Sequence, residues 1–371
     1  MRNRWYRELW DSLGSRDGFS VLLTALFPSL AIGMAPNLLQ KVWDSGWAYL
    51  CVAVVSVMLA VIGWSLGHKR GVGVVVNLLP GELTQDSRLE ALKQASTAAH
   101  GSTLEIEAGL LSPGGSRLPP TEQADLVARL VDARVKEHLS SGRDGSVTLY
   151  PLARMGEGFS LGRRLRRDHH VSLGIMHVSR GVGVVHGVLL GDGLHRPLTS
   201  AQRAFVDAHV VPPPDGGQHQ VVVHPQCPPE HRHRLALIVR LTPGGSMVDD
   251  AVHVARTGSV RRSVDRSHTG YVFDEADPEA PGPPCGAHVV LRASVDHLPE
   301  GGDGFEALAV QLHRVWAVAR DTWADRVGSG VETRLFLAAP LPIAVAFGWL
   351  TANENVRVVH HDLRLLNAPA P

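Results

Sequence analysis

VGVVVNLLPG (residues 72–81) returns as LALIVRLTPG (residues 235–244). Each is a run of β-branched and leucine residues that stops at Pro-Gly, the pattern of a buried strand entering a turn. The segments that follow each run come in one order. STLEIEAGLL (102–111) is matched by HVVLRASV (288–295), a second strand in each case. PTEQADLVARLVDARVKEHLSS (120–141), with Leu126, Leu130 and Val131 at helical spacing, is matched by DGFEALAVQLHRVWAVARDTWADR (303–326). SVTLYPL (146–152) and the residues up to Arg154 match TRLFLAAP (333–340), Leu161-Gly162 matches Phe347-Gly348, and VSLGIMHV (171–178) matches VRVVHHDL (356–363). Further helices are predicted over 84–99 and around 158–167. Strands alternating with helices indicate an α/β fold with mostly parallel sheets, and the shared order indicates one unit present twice.

The connecting segments carry less signal. GVGVVHGVLLGD (181–192) reads as a strand pair, PPPDGG (212–217) as a linker and VVVH (221–224) as a strand. GYVFDEADPEAPGPPCG (270–286), rich in proline and acidic residues, reads as an irregular loop or short strand inside the second unit.

Ahead of the repeat lie two uncharged apolar stretches, Phe19–Leu39 and Trp47–Leu66. Each is about 20 residues, enough for a helix to cross a hydrocarbon layer of ~30 Å. Trp43, Trp47, Tyr49 and Trp64 stand near their ends, where aromatic side chains favour the interface. Pro28, Pro36 and the second stretch close behind argue against a cleaved signal peptide. The expectation is a two-helix transmembrane hairpin over 18–67, preceded by a juxtamembrane segment over 1–17 that carries Trp5, Leu9 and Leu13 on one helical face. Arg2, Arg4, Arg7 and Arg16 precede the first span and Lys69 and Arg70 follow the second, while the turn has Lys41 offset by Asp44. The positive-inside rule then places both termini in the cytoplasm of a two-pass inner-membrane protein. Neither span holds an Asp, Glu, Lys or Arg, which fits an anchor or an oligomerising element better than a transporter.

Composition narrows the function. Lys+Arg and Asp+Glu are both 36, a formal net charge of zero, which argues against a protein that coats DNA or RNA polymers. The bases are nearly all arginine, whose planar forks suit phosphate. Cys51, Cys227 and Cys285 form no CxxC, so neither a disulfide framework nor a zinc site is indicated. There is no GxxxxGK[ST] and no HExxH, and the glycines of GVGVVV (71–76) sit within a strand rather than after it. Adjacent His360 and His361 on a strand point to opposite faces, and HRH (231–233) lacks a third ligand nearby. No metal, no catalytic group and no cofactor is indicated, and the chain does not read as an enzyme.

The remaining signal is position. In parallel α/β sheets ligands sit outside the carboxyl ends of the strands. The repeat puts Pro80, Gly81, Pro243 and Gly244 after the first strands, and Arg154, Gly156, Glu157, Gly158, Ala339 and Pro340 after the third. The glycines of RMGEGFSLG (154–162) open a helix whose N–H groups, with Arg154, suit a phosphate, and equally make a tight strand-to-helix turn. Glu157 complements the helix dipole or accepts from a base or ribose.

The stretch TRLFLAAPLPIAVAFGWLTANENVRVVHHDLRLLN (333–367) resembles the end of SAVED domains, with Ala338-Ala339-Pro340, Gly348 and Asn355 in the places of that family's pattern. The resemblance implies two fused CARF-like, Rossmann-like halves, here over 70–205 and 206–371. It further implies a sensor of a cyclic di- or trinucleotide, or of a cyclic tetranucleotide, made by a cognate nucleotidyltransferase in cyclic-oligonucleotide-based antiphage signalling. With only two spans ahead of the sensor, the match is to the two-transmembrane SAVED effectors. On ligand binding such an effector forms a homo-oligomer, gathers its helices in the lipid bilayer and disrupts the membrane in an abortive infection. Two other readings are a membrane-anchored CARF-like ring nuclease that degrades the signal and a nucleotide-independent membrane adaptor.

Overall fold

A computed structural model describes residues 71–79, 86–107, 118, 120–140, 147–165, 172–179, 181–213, 219–243, 245–274, 277–328 and 330–367, together with 54, 55 and 58. The juxtamembrane segment and nearly all of the expected hairpin lie outside the described residues, as do Pro80, Gly81 and Gly244. Val54, Val55 and Met58 are helical, and their apolar side chains are exposed. Among the described residues no helix is long and apolar enough to cross a membrane.

Gly71–Ala98 and Ser102–Pro371 form one compact unit. It contains two five-stranded sheets. The first comprises β1 (Val72–Asn77), β2 (Ser102–Glu107), β3 (Val147–Leu152), β4 (Leu173–Ser179) and β5 (Gly183–Leu190), in the order β2-β1-β3-β4-β5. The second comprises β6 (Val222–Val223), β7 (Arg234–Arg240), β9 (Ala287–Arg292), β10 (Glu332–Ala338) and β11 (Val356–Val358), in the order β11-β10-β7-β9-β6. Read from the second strand of each unit, both sheets run second, first, third, fourth, with parallel pairing throughout those four strands. The strand matches read from the sequence therefore correspond to equal places in two sheets of one topology.

The repeat extends to single hydrogen bonds. Leu78 N–H donates to Leu152 O at 2.8 Å, and Leu241 N–H donates to Ala338 O at 2.7 Å. These join the carboxyl ends of the first and third strands in each half.

Helices lie in layers. α1 (Asp86–Ala99) covers one face of the first sheet, with Leu92 packed on Val75, Tyr150 and Leu152. α5 (Met247–Thr257) covers the outer face of the second sheet, against Ala236, Ile238 and Phe336. Between the sheets lie α2 (Pro120–Ser140), α3 (Met155–Leu165), α4 (Ser200–His209), α6 (Gly302–Val327) and α7 (Leu341–Leu350). Their apolar side chains join the inner faces of both sheets in one core. α7, LPIAVAFGWL, is apolar all round because it is enclosed all round. The strands facing helices on both sides are buried along their length, as in VGVVVN.

Two local readings are corrected, at 181–192 and at the start of the short helix, and two others gain detail. Residues 183–190 are a single strand rather than a pair, and its partner is β4, antiparallel, with a turn at 181–182 ahead of it. The short helix begins at Met155 rather than near 158, because Glu157 caps its first turn. The loop at 270–286 opens with β8 (Tyr271–Val272), which pairs antiparallel with β12 (His360–His361) beyond β11. α4 crosses the 205/206 division expected from the repeat, and Val211 N–H then donates to Arg292 O at 2.9 Å.

One buried pair makes the second sheet acid-sensitive. His224 Nε2 lies 2.7 Å from His288 Nδ1, and His224 Nδ1 lies 2.8 Å from Cys285 O. Burial lowers both pKa values, and that of His288 falls to about 4. A histidine whose folded pKa is below its unfolded value favours the native state when neutral. That contribution is whole above about pH 6.5 and drains away as pH falls toward 4. Urea unfolding between pH 7 and 4 should show stability falling by up to about 1.4 kcal/mol per pH unit, with a shallower slope in His288→Asn.

Candidate functional site

The two halves meet through α3 and α7, the helices that follow β3 and β10. A Cβ on Gly162 would stand 1.9 Å from Val345 O, and a Cβ on Gly348 would stand 2.1 Å from Phe159 O. The repeat pairs Gly162 with Gly348, and at the same spacing Phe159 with Val345, so the contact is reciprocal. Each half presses its glycine onto the other half's backbone, as in an isologous interface. Gly158 adds a third close approach, 2.4 Å from Leu341 Cδ1. Because Gly158 meets Leu341 and Gly162 meets Val345 one turn later, the helices run side by side in the same direction. Their N-termini, and so the carboxyl ends of β3 and β10, share one edge.

Each N-terminus is covered by the other half. The His360 ring lies on Gly156, where a Cβ would come within 2.9 Å of Cε1. Gly187 of β5 lies against Pro342, with a Cβ position 2.6 Å from Cγ. Arg163 fastens the same junction. It donates from Nη1 to Val356 O at 2.8 Å and from Nη2 to Glu354 O at 2.8 Å and Ala352 O at 3.3 Å.

The shared edge holds part of the expected set. Arg154 follows β3, is half-buried and makes no side-chain hydrogen bond or direct ion pair among the described residues. Its charge reaches Asp362, whose carboxyl is held below the usual carboxylate range chiefly by the hydrogen bond from Arg364 and additionally by Arg154. Arg364 Nη2 is 2.6 Å from Asp362 Oδ2. Arg154 comes from the first half and His360, Asp362 and Arg364 from the second, so the edge is composite. With Glu157 capping α3 and Pro340 and Pro342 opening α7, the group at this edge that favours an anionic ligand is the Arg154 guanidinium.

The other expected residues take different places. Glu157 is 2% exposed and accepts the Arg154 N–H at 2.9 Å, which makes it a helix cap. Gly156 and Gly158 give room to His360 and Leu341. Ala339 is buried, and Pro340 caps α7, its carbonyl accepting from Ile343 N–H at 3.0 Å. Pro243 is exposed beyond the end of β7.

Sequence reasoning passed over two features. Arg240 and Arg292 end β7 and β9 side by side in the ladder and make no side-chain hydrogen bond or ion pair among the described residues. They lie at the same carboxyl edge on the face of α5, and an arginine closing both LALIVR and HVVLR was the available signal. Gly158-Phe159-Ser160-Leu161-Gly162 also spells G-x-S-x-G. In nucleophile elbows that serine sits on a sharp strand-to-helix turn. Here Ser160 lies inside α3 and the flanking glycines serve helix contact, so the pattern does not form an elbow. Among the described residues no group of three or more His, Cys, Asp or Glu side chains can hold a metal ion.

No family model and no curated protein matches the chain. It is similar to solved structures of the Cap4 SAVED/CARF-domain containing receptor of Acinetobacter baumannii. With that receptor bearing the cyclic trinucleotide 2'3'3'-cAAA the identity is 11% and the TM-score 0.35, over 92% of this chain and 62% of the other. With the receptor bearing 3'3'3'-cAAA they are 9% and 0.34, over 92% and 63%. A further structure of the receptor gives 8% and 0.34, over 92% and 61%. The chain thus spans less than two thirds of the length of the receptors it is similar to.

Proposed function

We propose that this chain is a membrane-anchored antiphage effector of the SAVED type, whose α/β region binds a cyclic oligonucleotide at the composite edge between its halves. The observation that carries the reading is the reciprocal Gly162/Gly348 contact, which brings the carboxyl ends of two equivalent third strands to one edge. A ring of phosphates is a ligand of matching kind: it repeats its own units as the two halves do, and the Arg154 guanidinium offers a fork to a phosphate. The resemblance of residues 333–367 to SAVED domains supports the same ligand class. The two uncharged stretches at 19–39 and 47–66 support a two-pass hairpin with both termini in the cytoplasm.

Ligand acts by favouring one state. It drives assembly only as far as it binds the assembled form better than the single subunit. Subunits gathered on the ligand-bound region would concentrate their hairpins, and many weak helix contacts then act together. Membrane disruption follows from that gathering. A ring nuclease is disfavoured by the absence of a nucleophile–base pair at the described edge.

The test is made in cells. Co-expression with an active nucleotidyltransferase should depolarise the inner membrane, and Arg154→Ala should prevent it while the protein remains folded and membrane-bound. Loss of one charged hydrogen bond to phosphate corresponds to about 10- to 100-fold in ligand affinity. Depolarisation without a nucleotidyltransferase, or unchanged by Arg154→Ala, would contradict the proposal and favour the adaptor reading.

A further inference from the structure

At the opposite edge, the amino ends of the second sheet, charge is gathered that the nucleotide reading does not use. Arg234 stands opposite Glu332 in the ladder, and Arg334 stands opposite Arg357. Ladder partners project to the same side, and Glu332 and Arg334 are two residues apart, so all four share one face. Glu332 is 7% exposed. Arg334 Nη2 approaches its Oε1 at 2.8 Å, Arg357 Nε approaches Oε1 at 3.6 Å and Arg234 Nε approaches Oε2 at 3.4 Å. His233 Nε2 lies 3.9 Å from Oε2. Among the described residues Glu332 is the only carboxylate that pairs with any of the three arginines.

The charges do not balance. Three guanidinium groups face one carboxylate. His231, whose Nδ1 lies 2.5 Å from Arg234 Nη1, offers no negative charge to balance them. Hydrogen bonding is also incomplete: among the described residues the buried Arg334 Nε has no hydrogen-bond partner. Burial, joined by the charges of Arg234 and Arg357, disfavours the charged form of Arg334 and lowers its pKa. A half-buried cluster with surplus cation is stabilised by an added anion. The way in is open, since the Arg334 side chain is 14% exposed and that of Arg357 64%. Forks on neighbouring strands match the bidentate geometry of a tetrahedral oxyanion.

We propose that the amino edge of the second sheet, at Arg234, Arg334 and Arg357 around Glu332, is a second anion site that takes a phosphate-class oxyanion. It lies at the other end of the strands from Arg154, so its failure and that of the nucleotide site are separate results.

The experiment uses the full chain in detergent micelles and inorganic phosphate as the probe. Thermal unfolding is followed in phosphate and in chloride at matched ionic strength and pH. A bound anion raises the midpoint by mass action and saturates, whereas the general salting effect of phosphate grows steadily and is the same for all variants. The wild type should show a saturable rise. Arg357→Ala, at an exposed side chain that the fold tolerates, should weaken the apparent phosphate affinity by about tenfold. Arg357→Glu should abolish the saturable part. A wild-type midpoint equal in phosphate and chloride, or a saturable rise unchanged in both variants, would overturn the proposal.

Discussion

Gly162→Ala should lower stability by about 3 kcal/mol, at the upper end of what overpacking a core usually costs. The added Cβ falls 1.9 Å from a backbone oxygen, that of Val345, with Val345 C at 2.8 Å and Cα at 3.0 Å. No side-chain rotation relieves a collision with main chain, so α3 and α7 must separate. The separation is felt throughout, because both helices lie in the core shared by the two sheets. In a domain of this size the midpoint of thermal unfolding should drop by about 5 °C. Gly348→Ala should cost about as much, since its Cβ meets Phe159 O at 2.1 Å. The double variant should cost less than the sum, because the first substitution has already parted the helices. Gly193→Ala, where nothing lies within 4 Å, is the control and should be near neutral. A loss below 1 kcal/mol for Gly162→Ala would mean that the halves are not joined by this contact.

Arg163→Ala should cost about 3 kcal/mol as well, by loss of charged hydrogen bonds rather than by collision. One guanidinium serves Val356 O, Glu354 O and Ala352 O, three carbonyls of the chain between α7 and β11. Its removal strips that donor from all three. Arg163→Lys should recover less than half, because a single ammonium group cannot reproduce the fork. The same variant should weaken ligand at a distance. The segment that Arg163 holds leads into β12, which sets His360 against Gly156 and is followed at once by Asp362. A loosened segment leaves the composite edge less well formed, so cyclic-oligonucleotide affinity should fall even though Arg163 is not placed at that edge.

The architecture was largely legible because its causes are local. Runs such as VGVVV (72–76) and LALIV (235–239) are apolar throughout, as strands covered on both faces must be, and Pro-Gly follows a few residues on. Matching Leu161-Gly162 with Phe347-Gly348 already paired the two residues that form the junction. Its meaning was not legible, because a glycine that admits a phosphate and a glycine that admits another helix read alike in sequence. Gly158 and Gly162 admit a helix. Glu157 was ambiguous for the same reason: an acidic residue in a first turn caps or binds, and here it caps. The pairing of β5 with β4 was missed because 181–192 has strand composition at both ends and its partner lies upstream. The charge cluster at Glu332 was invisible, since its members are assembled from three strands by register alone.

The proposed function stands on cyclic-oligonucleotide binding at the composite edge that holds Arg154. It is tested most directly by titrating the full chain in detergent with cyclic di-, tri- and tetranucleotides in a calorimeter, beside Arg154→Ala. One member of the panel should bind saturably, weakened about 10- to 100-fold in the variant. Folded protein that binds no member of the panel, or that binds one equally well without Arg154, would contradict it.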